Sequence, residues 1–226
     1  MAIATYQQLR AAICSTANKD DLSDAQTAFE GVSIDSIAKL IVEKATKRIN
    51  RDLISRGGNK NMEAVDTSLT TTGGTQTLTL PSDYAGHRMF IVRSDPIRVL
   101  EFVDPTSLFT QYGGSASGLP EKFTVVGTRT VYFGPTPDAA YATTLIYYQT
   151  LTALSADADY NWLLTNHWDI YEAAAMAELM LVLENDERIQ YWNGVYNQKA
   201  NDLMGDDRNT RWAGTPTMPQ LQVATA

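Results

Sequence analysis

Few side chains in this sequence have the type and spacing that chemistry requires. Cys14 is the single thiol. It falls in the apolar phase of a predicted helix, whereas a nucleophilic thiolate needs an electropositive, accessible setting, so an inert buried thiol is expected. One cysteine closes no internal disulfide, and folding needs no oxidising compartment. A metal site on the two histidines, His87 and His167, would need cysteines or clustered carboxylates at matched spacing, and neither has His, Asp or Glu four residues on. Packing or surface roles are expected for both. Glycoside hydrolysis needs two carboxyl groups across a cleft; Asp157 and Asp159 sit among alanines in a polar loop and read as solvated loop acids. Gly113-Gly114-Ser115-Ala116-Ser117-Gly118 holds neither a nucleophile elbow nor a phosphate-cradling Gly-Lys-Ser/Thr, and reads as a flexible loop. The expectation is a chain with no catalytic, metal-binding or cofactor-binding residues.

Aromatic residues carry more information. Tyr147, Tyr148, Tyr160, Trp162, Trp168 and Tyr171 fall close together in sequence and are expected to form a core seam; exposed on one face they would instead make a carbohydrate platform. Trp212 stands apart, flanked by Arg211 and followed by Met218 and Leu221 in a segment without apolar periodicity. Such an anchor in a segment with no core of its own belongs either to a docking tail, with Arg208, Arg211, Trp212, Met218 and Leu221 as its contacts, or to a tail that is merely disordered.

The elements that position these residues follow from apolar spacing. Thr5 caps a helix to about Thr16, with Tyr6, Leu9, Ala12 and Ile13 on one face. Ser33 caps a second helix with Asp35 in its first turn; Ile34, Ile37, Ile41, Ala45, Ile49 and Leu53 make its stripe, and Gly57-Gly58 ends it. From Met62 to about Gln149 the period becomes two. Strands are expected at 77–80, 89–92, 97–103, 123–126, 130–133 and 143–148, with a tight type II′ hairpin at Gly127-Thr128. Helix returns near Asn166, capped there, with Ile170, Ala174, Ala177 and Leu181 in one stripe; a last helix carries Ile189, Trp192, Tyr196, Ala200 and Leu203. Ile41, Ile49, Ala174, Ala177, Leu181 and Trp192 are the candidates for helix packing and subunit contacts. The fold class is α+β, a helical bundle with an inserted antiparallel β module. Its parts are N-terminal helices in 1–58, the module in 59–150, a C-terminal helical hairpin in 151–204 and an extended tail in 205–226.

The chain has 226 residues, 44% of them hydrophobic, enough for a real core, and 18 Lys+Arg against 26 Asp+Glu for a net charge of −8. That balance argues against gripping duplex DNA, which requires many phosphates to be neutralised. The longest apolar stretch, 173–183, is interrupted by Glu178 and falls short of the roughly 20 residues of a membrane span, so no membrane association is expected. No secretory signal is visible, which points to synthesis in a cytoplasm.

The motifs Arg48-Ile49-Asn50-Arg51-Asp52-Leu53, Thr77-Leu78-Thr79-Leu80-Pro81-Ser82-Asp83-Tyr84, Tyr132-Phe133-Gly134-Pro135-Thr136-Pro137, Tyr147-Tyr148, and Leu154-Ser155 followed by Asn161-Trp162-Leu163-Leu164 resemble, in order and spacing, the head-to-tail adaptor proteins of tailed bacteriophages, the group similar to tail tubular protein A of short-tailed phages. The resemblance covers about residues 6–203. It implies a structural virion protein of the neck, a homo-oligomeric ring commonly of twelve copies below the portal protein. That ring carries the tail nozzle or tail tube and lets genomic DNA pass its lumen. It also implies that helices pack subunits together, that the β module faces the tail and that the C-terminal tail docks on the portal. The family has no catalytic residues. The acidic balance then suits a lumen wall that repels phosphate. The competing reading is a virion carbohydrate- or receptor-binding module.

Overall fold

Thr5 has no helical partner for its side chain, so its hydroxyl is free to accept from the Gln8 amide and start α1, Tyr6–Thr16. The computed structural model describes residues 3–17, 22, 24–26, 29, 32–113 and 116–212. Ser33 does the same for α2, Ile34–Ser55, through the Ser36 amide. The α2 stripe buries Ile37, Ile41, Ala45, Ile49 and Leu53, while Ile34 in the first turn stays exposed. Gly57 and Gly58 end the helix at φ 103° and 73°. Their amides bond back to Ile54 and Leu53 at 3.0 and 2.9 Å, the paired closure that satisfies a helix's last carbonyls.

With α3, Pro105–Tyr112, inside the β module, two long helices follow it, α4 over Trp162–Val182 and α5 over Asp186–Trp212. The cap of α4 is Asn161, five residues before the expected Asn166. Its Oδ1 accepts from the Leu164 amide at 2.9 Å, and its Nδ2 donates to the Thr152 carbonyl and the Tyr171 hydroxyl. Asn166 instead donates back to the Trp162 carbonyl. A break does fall beside it, at His167, whose backbone leaves helical angles. Both asparagines precede apolar helical runs, and only burial of Leu163 and Leu164 selects the earlier one. α4 is buried on nearly every side, as the central helix of a bundle must be. Lys199 reaches Asp169 at 2.6 Å, so α5 returns antiparallel to α4. It does not stop before Gly205: residues 205–212, expected in the extended tail, continue the helix, because buried Leu203 and Asp207 still hold it. The Asp207 carboxylate accepts from the Lys60 amide at 2.9 Å, enough to offset the roughly 1 kcal/mol that a helical glycine costs.

Between α2 and α4 the chain makes ten short strands among the described residues. They are β1 Glu63–Asp66, β2 Thr77–Thr79, β3 Tyr84–Val92, β4 Arg98–Val99, β5 Glu101–Phe102, β6 Ser117–Gly118, β7 Lys122–Val126, β8 Thr130–Gly134, β9 Thr136–Pro137 and β10 Thr143–Gln149. One sheet runs β1-β10-β3-β4, a second β2-β8-β7-β5, and β6 pairs with β9. Most pairs are antiparallel; β5-β7 and β6-β9 are parallel. The expected single strand 97–103 is a corner: the Leu100 amide bonds to Phe90 in the first sheet, and the next two residues join the second. Val126 pairs directly with Thr130, so the hairpin loop has three residues, with Gly127 at φ 69°, and is not the expected two-residue turn. Phe90, Val92, Leu145 and Tyr147 of one sheet face Phe123, Val131 and Phe133 of the other as the module's core.

Helix α3, Pro105–Tyr112, was not visible in the periodicity; Asp104 caps it and proline opens it. It lies on the outer face of the second sheet, where a Cβ on Gly134 would meet the Tyr112 ring at 2.5 Å. Of the expected 113–118 loop, Gly113 caps α3 and Ser117–Gly118 form β6. The architecture is α+β, a helical bundle with a β module.

Candidate functional site

The motif Arg48–Leu53 builds a polar ladder beside the apolar stripe of α2. Arg48 and Asp52 on α2 and Arg56 at its C-cap stand four residues apart, and Asn193, Asn197 and Asn201 stand four apart on α5, so the two rows meet along the helix pair. Arg48 lies over the Tyr196 ring at 4.6 Å, donates to Asn193 at 2.6 Å and reaches Glu178 of α4 at 3.5 Å. Asp52 accepts from the Tyr196 hydroxyl at 2.8 Å and pairs with Arg56, which also holds Asn197 and Asn201. Burial, and then the Asp52 carboxylate, push the Tyr196 hydroxyl well above the ordinary tyrosine range. Charged groups held in this way fix the register of three helices, which apolar stripes alone leave free to slide.

Two contacts tie the β module to α2. Asn50 Oδ1 accepts from the Leu151 amide at 2.8 Å where β10 runs back toward the bundle. The Tyr148 ring lies against Gly58, where any Cβ would come within 2.6 Å of it. The expected aromatic seam is therefore divided. Strand alternation sends Tyr147 into the module's core and Tyr148 toward the helical core, which also holds Tyr171; Trp162 and Trp168 pack at its margin and Tyr160 is exposed.

The N-terminal side has its own clamp. Arg10 is buried, pairs with Asp35 of α2 and Asp157 of the 155–159 loop, and lies over Tyr6 at 4.7 Å. Asp159 staples that loop by accepting from the Ser155 and Ala156 amides at 2.7 Å, bonds that hold its carboxyl below the ordinary value. The two loop acids are thus engaged separately, Asp157 by an arginine and Asp159 by its own backbone. Half-buried Cys14 lines a recess of about 330 Å³ with Arg10 and Asp35, and burial pushes its thiol up. His87 stacks on Phe102 at 4.2 Å, and burial lowers its pKa. His167 sits at the α4 kink. Among the described residues no group of three or more His, Cys, Asp and Glu is placed to hold a metal, and no helix is long and apolar enough to cross a membrane.

Of the residues expected at helix and subunit contacts, Ile41, Ile49, Ala174 and Ala177 are buried inside the chain, where they pack its own helices. Trp192 is half-buried against that core, and Leu181 is 59% exposed. Helical spacing could not separate Leu181 from its stripe, because the last turn of α4 runs past the elements that cover the rest. Arg208 is exposed on α5, and Arg211 and Trp212 form that helix's last two positions. Met218 and Leu221 lie outside the described residues. The ladder was legible as a period-four polar row, although apolar periodicity does not look for one.

Charged ladders and loop staples hold the helices and the 155–159 loop in register. The chain matches the family model described as SU10 adaptor protein over residues 4–220, and it belongs to that family. It is a bacteriophage adaptor with a structural role, a component of the virion neck that meets other head and tail components. A comparison with curated proteins finds no match.

Proposed function

We propose that the chain assembles as a ring of twelve copies that joins the portal protein to the tail nozzle or tail tube and lets genomic DNA pass through its lumen, in the manner of tail tubular protein A of short-tailed phages. The family match across 4–220 carries this reading. The ordered ladder between α2, α4 and α5 supports it, since a ring under load needs subunits whose helices do not slide. Residues 205–226 dock on the portal: Arg208, Arg211 and Trp212 at the end of α5 lead into the segment with Met218 and Leu221. Leu181 and Trp192 contribute to subunit contacts. The chain acts without catalysis or cofactor, is monomeric alone and closes into a ring on the portal. DNA is not gripped, and a net negative wall lets it slide.

Electron microscopy of the protein mixed with its portal tests this reading. A twelve-fold ring stacked beneath the portal is expected. Portal particles with no added density, or a stable ring formed without portal, would each overturn the corresponding part.

A further inference from the structure

The two sheets of the β module are covered unequally. The second sheet carries α3 on its outer face. Among the described residues no element covers the outer face of the first, which is apolar: Val65, Ile146 and Met89 form one cross-strand row, and Ile91 and Val99 pair in the next. Val65 is 62% exposed and Val99 58%. Two arginines stand on this face: Arg88 pairs with Glu63, and the Arg93 Nε donates to the Thr144 hydroxyl, with no carboxylate on Arg93 among the described residues. Arg98, opposite buried Val92, turns the other way and pairs with Glu121 beside the second sheet. A surface of this kind takes an apolar partner that brings acids.

The same chain offers one. Residues 151–226 hold eleven acidic residues against four basic, whereas 59–150 hold eight against six. The turn between α4 and α5 and the helix ends beside it expose Leu181 and Tyr191 together with Glu184 and Glu187. This tip lies at the far end of the bundle from the β module, because α5 runs alongside α2 from Arg48–Asn193 to Lys60–Asp207. One subunit can therefore use both surfaces at once.

We infer that the exposed outer sheet face of one copy seats on the α4–α5 tip of the next, Val65, Met89 and Val99 against Leu181 and Tyr191, with Arg93 toward Glu184 and Glu187. This names the surfaces of the subunit contact and rests on the ring reading above. Sheet-to-sheet pairing would bring no acid to Arg93, whereas the tip does, so the contact is head-to-tail, the kind that propagates around a ring. Four strands about 4.8 Å apart and about four residues tall give a face on the order of 250 Å², well short of the ~800 Å² per partner of a stable complex. The contact is too small to hold free copies together, and it forms where a template raises the local concentration.

The test places a benzophenone-bearing amino acid at Val99 of the full chain, mixes it with isotope-labelled wild type and the portal, and maps the photo-crosslinks. Crosslinks to the 181–191 segment of the labelled copy are expected. Crosslinks only to portal or tail components, with rings still visible in the microscope, overturn this contact and leave the adaptor reading standing; wild type that never forms rings overturns both. The Val65→Glu/Val99→Glu variant, whose changes face solvent, should keep the wild-type melting temperature and lose ring formation. Undiminished rings from that variant also overturn the contact.

Discussion

Replacing Gly58 by alanine tests how closely the β module is seated on the bundle. Gly58 has φ 73°, and a Cβ there would stand 2.6 Å from the Tyr148 ring; Gly57 has φ 103° and nothing within 4 Å of the same added atom. Gly57→Ala therefore carries only the backbone term, roughly 1–2 kcal/mol for an L-residue forced into left-handed space. Gly58→Ala carries that term and an overpacking term of about 1–3 kcal/mol, because ring or backbone must shift. Urea unfolding of both single variants, followed by far-UV dichroism, gives the difference directly. In a Tyr148→Ala background the excess at Gly58 should vanish, since the atom it collides with is gone. Equal losses for Gly57→Ala and Gly58→Ala, or an excess that survives removal of the Tyr148 ring, would refute the claim that this contact sets the module's seat.

Other outcomes follow from the same contacts. Asn50→Ala should leave the Leu151 amide without its acceptor, costing about 1–3 kcal/mol in urea and raising hydrogen exchange at that amide; unchanged protection would count against the strap. Tyr147 donates to Asp83 at 3.0 Å, and burial with that carboxylate pushes its pKa from 10 to about 12. Its contribution should be whole below pH 10 and fall between pH 10 and about 12, where only the unfolded chain has lost the proton; Tyr147→Phe should flatten that part of the stability profile. Trp212→Ala should weaken portal docking with an unchanged melting temperature, and wild-type affinity in a pull-down with portal rings would remove Trp212 from the docking segment.

Helix starts with a capping hydroxyl and a clear stripe, Thr5 and Ser33, were legible to the residue, because cap chemistry and burial point the same way there. The α4 start was not, since Asn161 and Asn166 satisfy the same local rule and only burial of Leu163 and Leu164 chooses between them. The corner at Leu100 looked like one strand because both sheets bury alternate residues, and a change of sheet leaves the period intact. Gly205 read as a stop, although Asp207, held by the Lys60 amide, carries the helix past it through a contact 147 residues away. Of the ladder, Arg48 and Asp52 entered only within a motif that carries the resemblance and Arg56 not at all, while their partners on α5 are visible as asparagines at the same spacing. Whether an exposed position such as Leu181 meets solvent or a neighbouring copy is a property of assembly, which the order of residues in one chain does not encode.

The chain leaves α2 at Gly58 and comes back to it at Tyr148 and Leu151, touching the helix it departed from at both ends of the excursion. To the bundle, some ninety residues are a surface loop with pinned ends. Changing what lies between those pins alters the closure entropy only slowly, by about 0.6 kcal/mol per doubling of length. The β module can therefore gain or lose length in the loops between its pins at little cost to the bundle, while the sheet face inferred to seat the next copy is bound to keep its sequence.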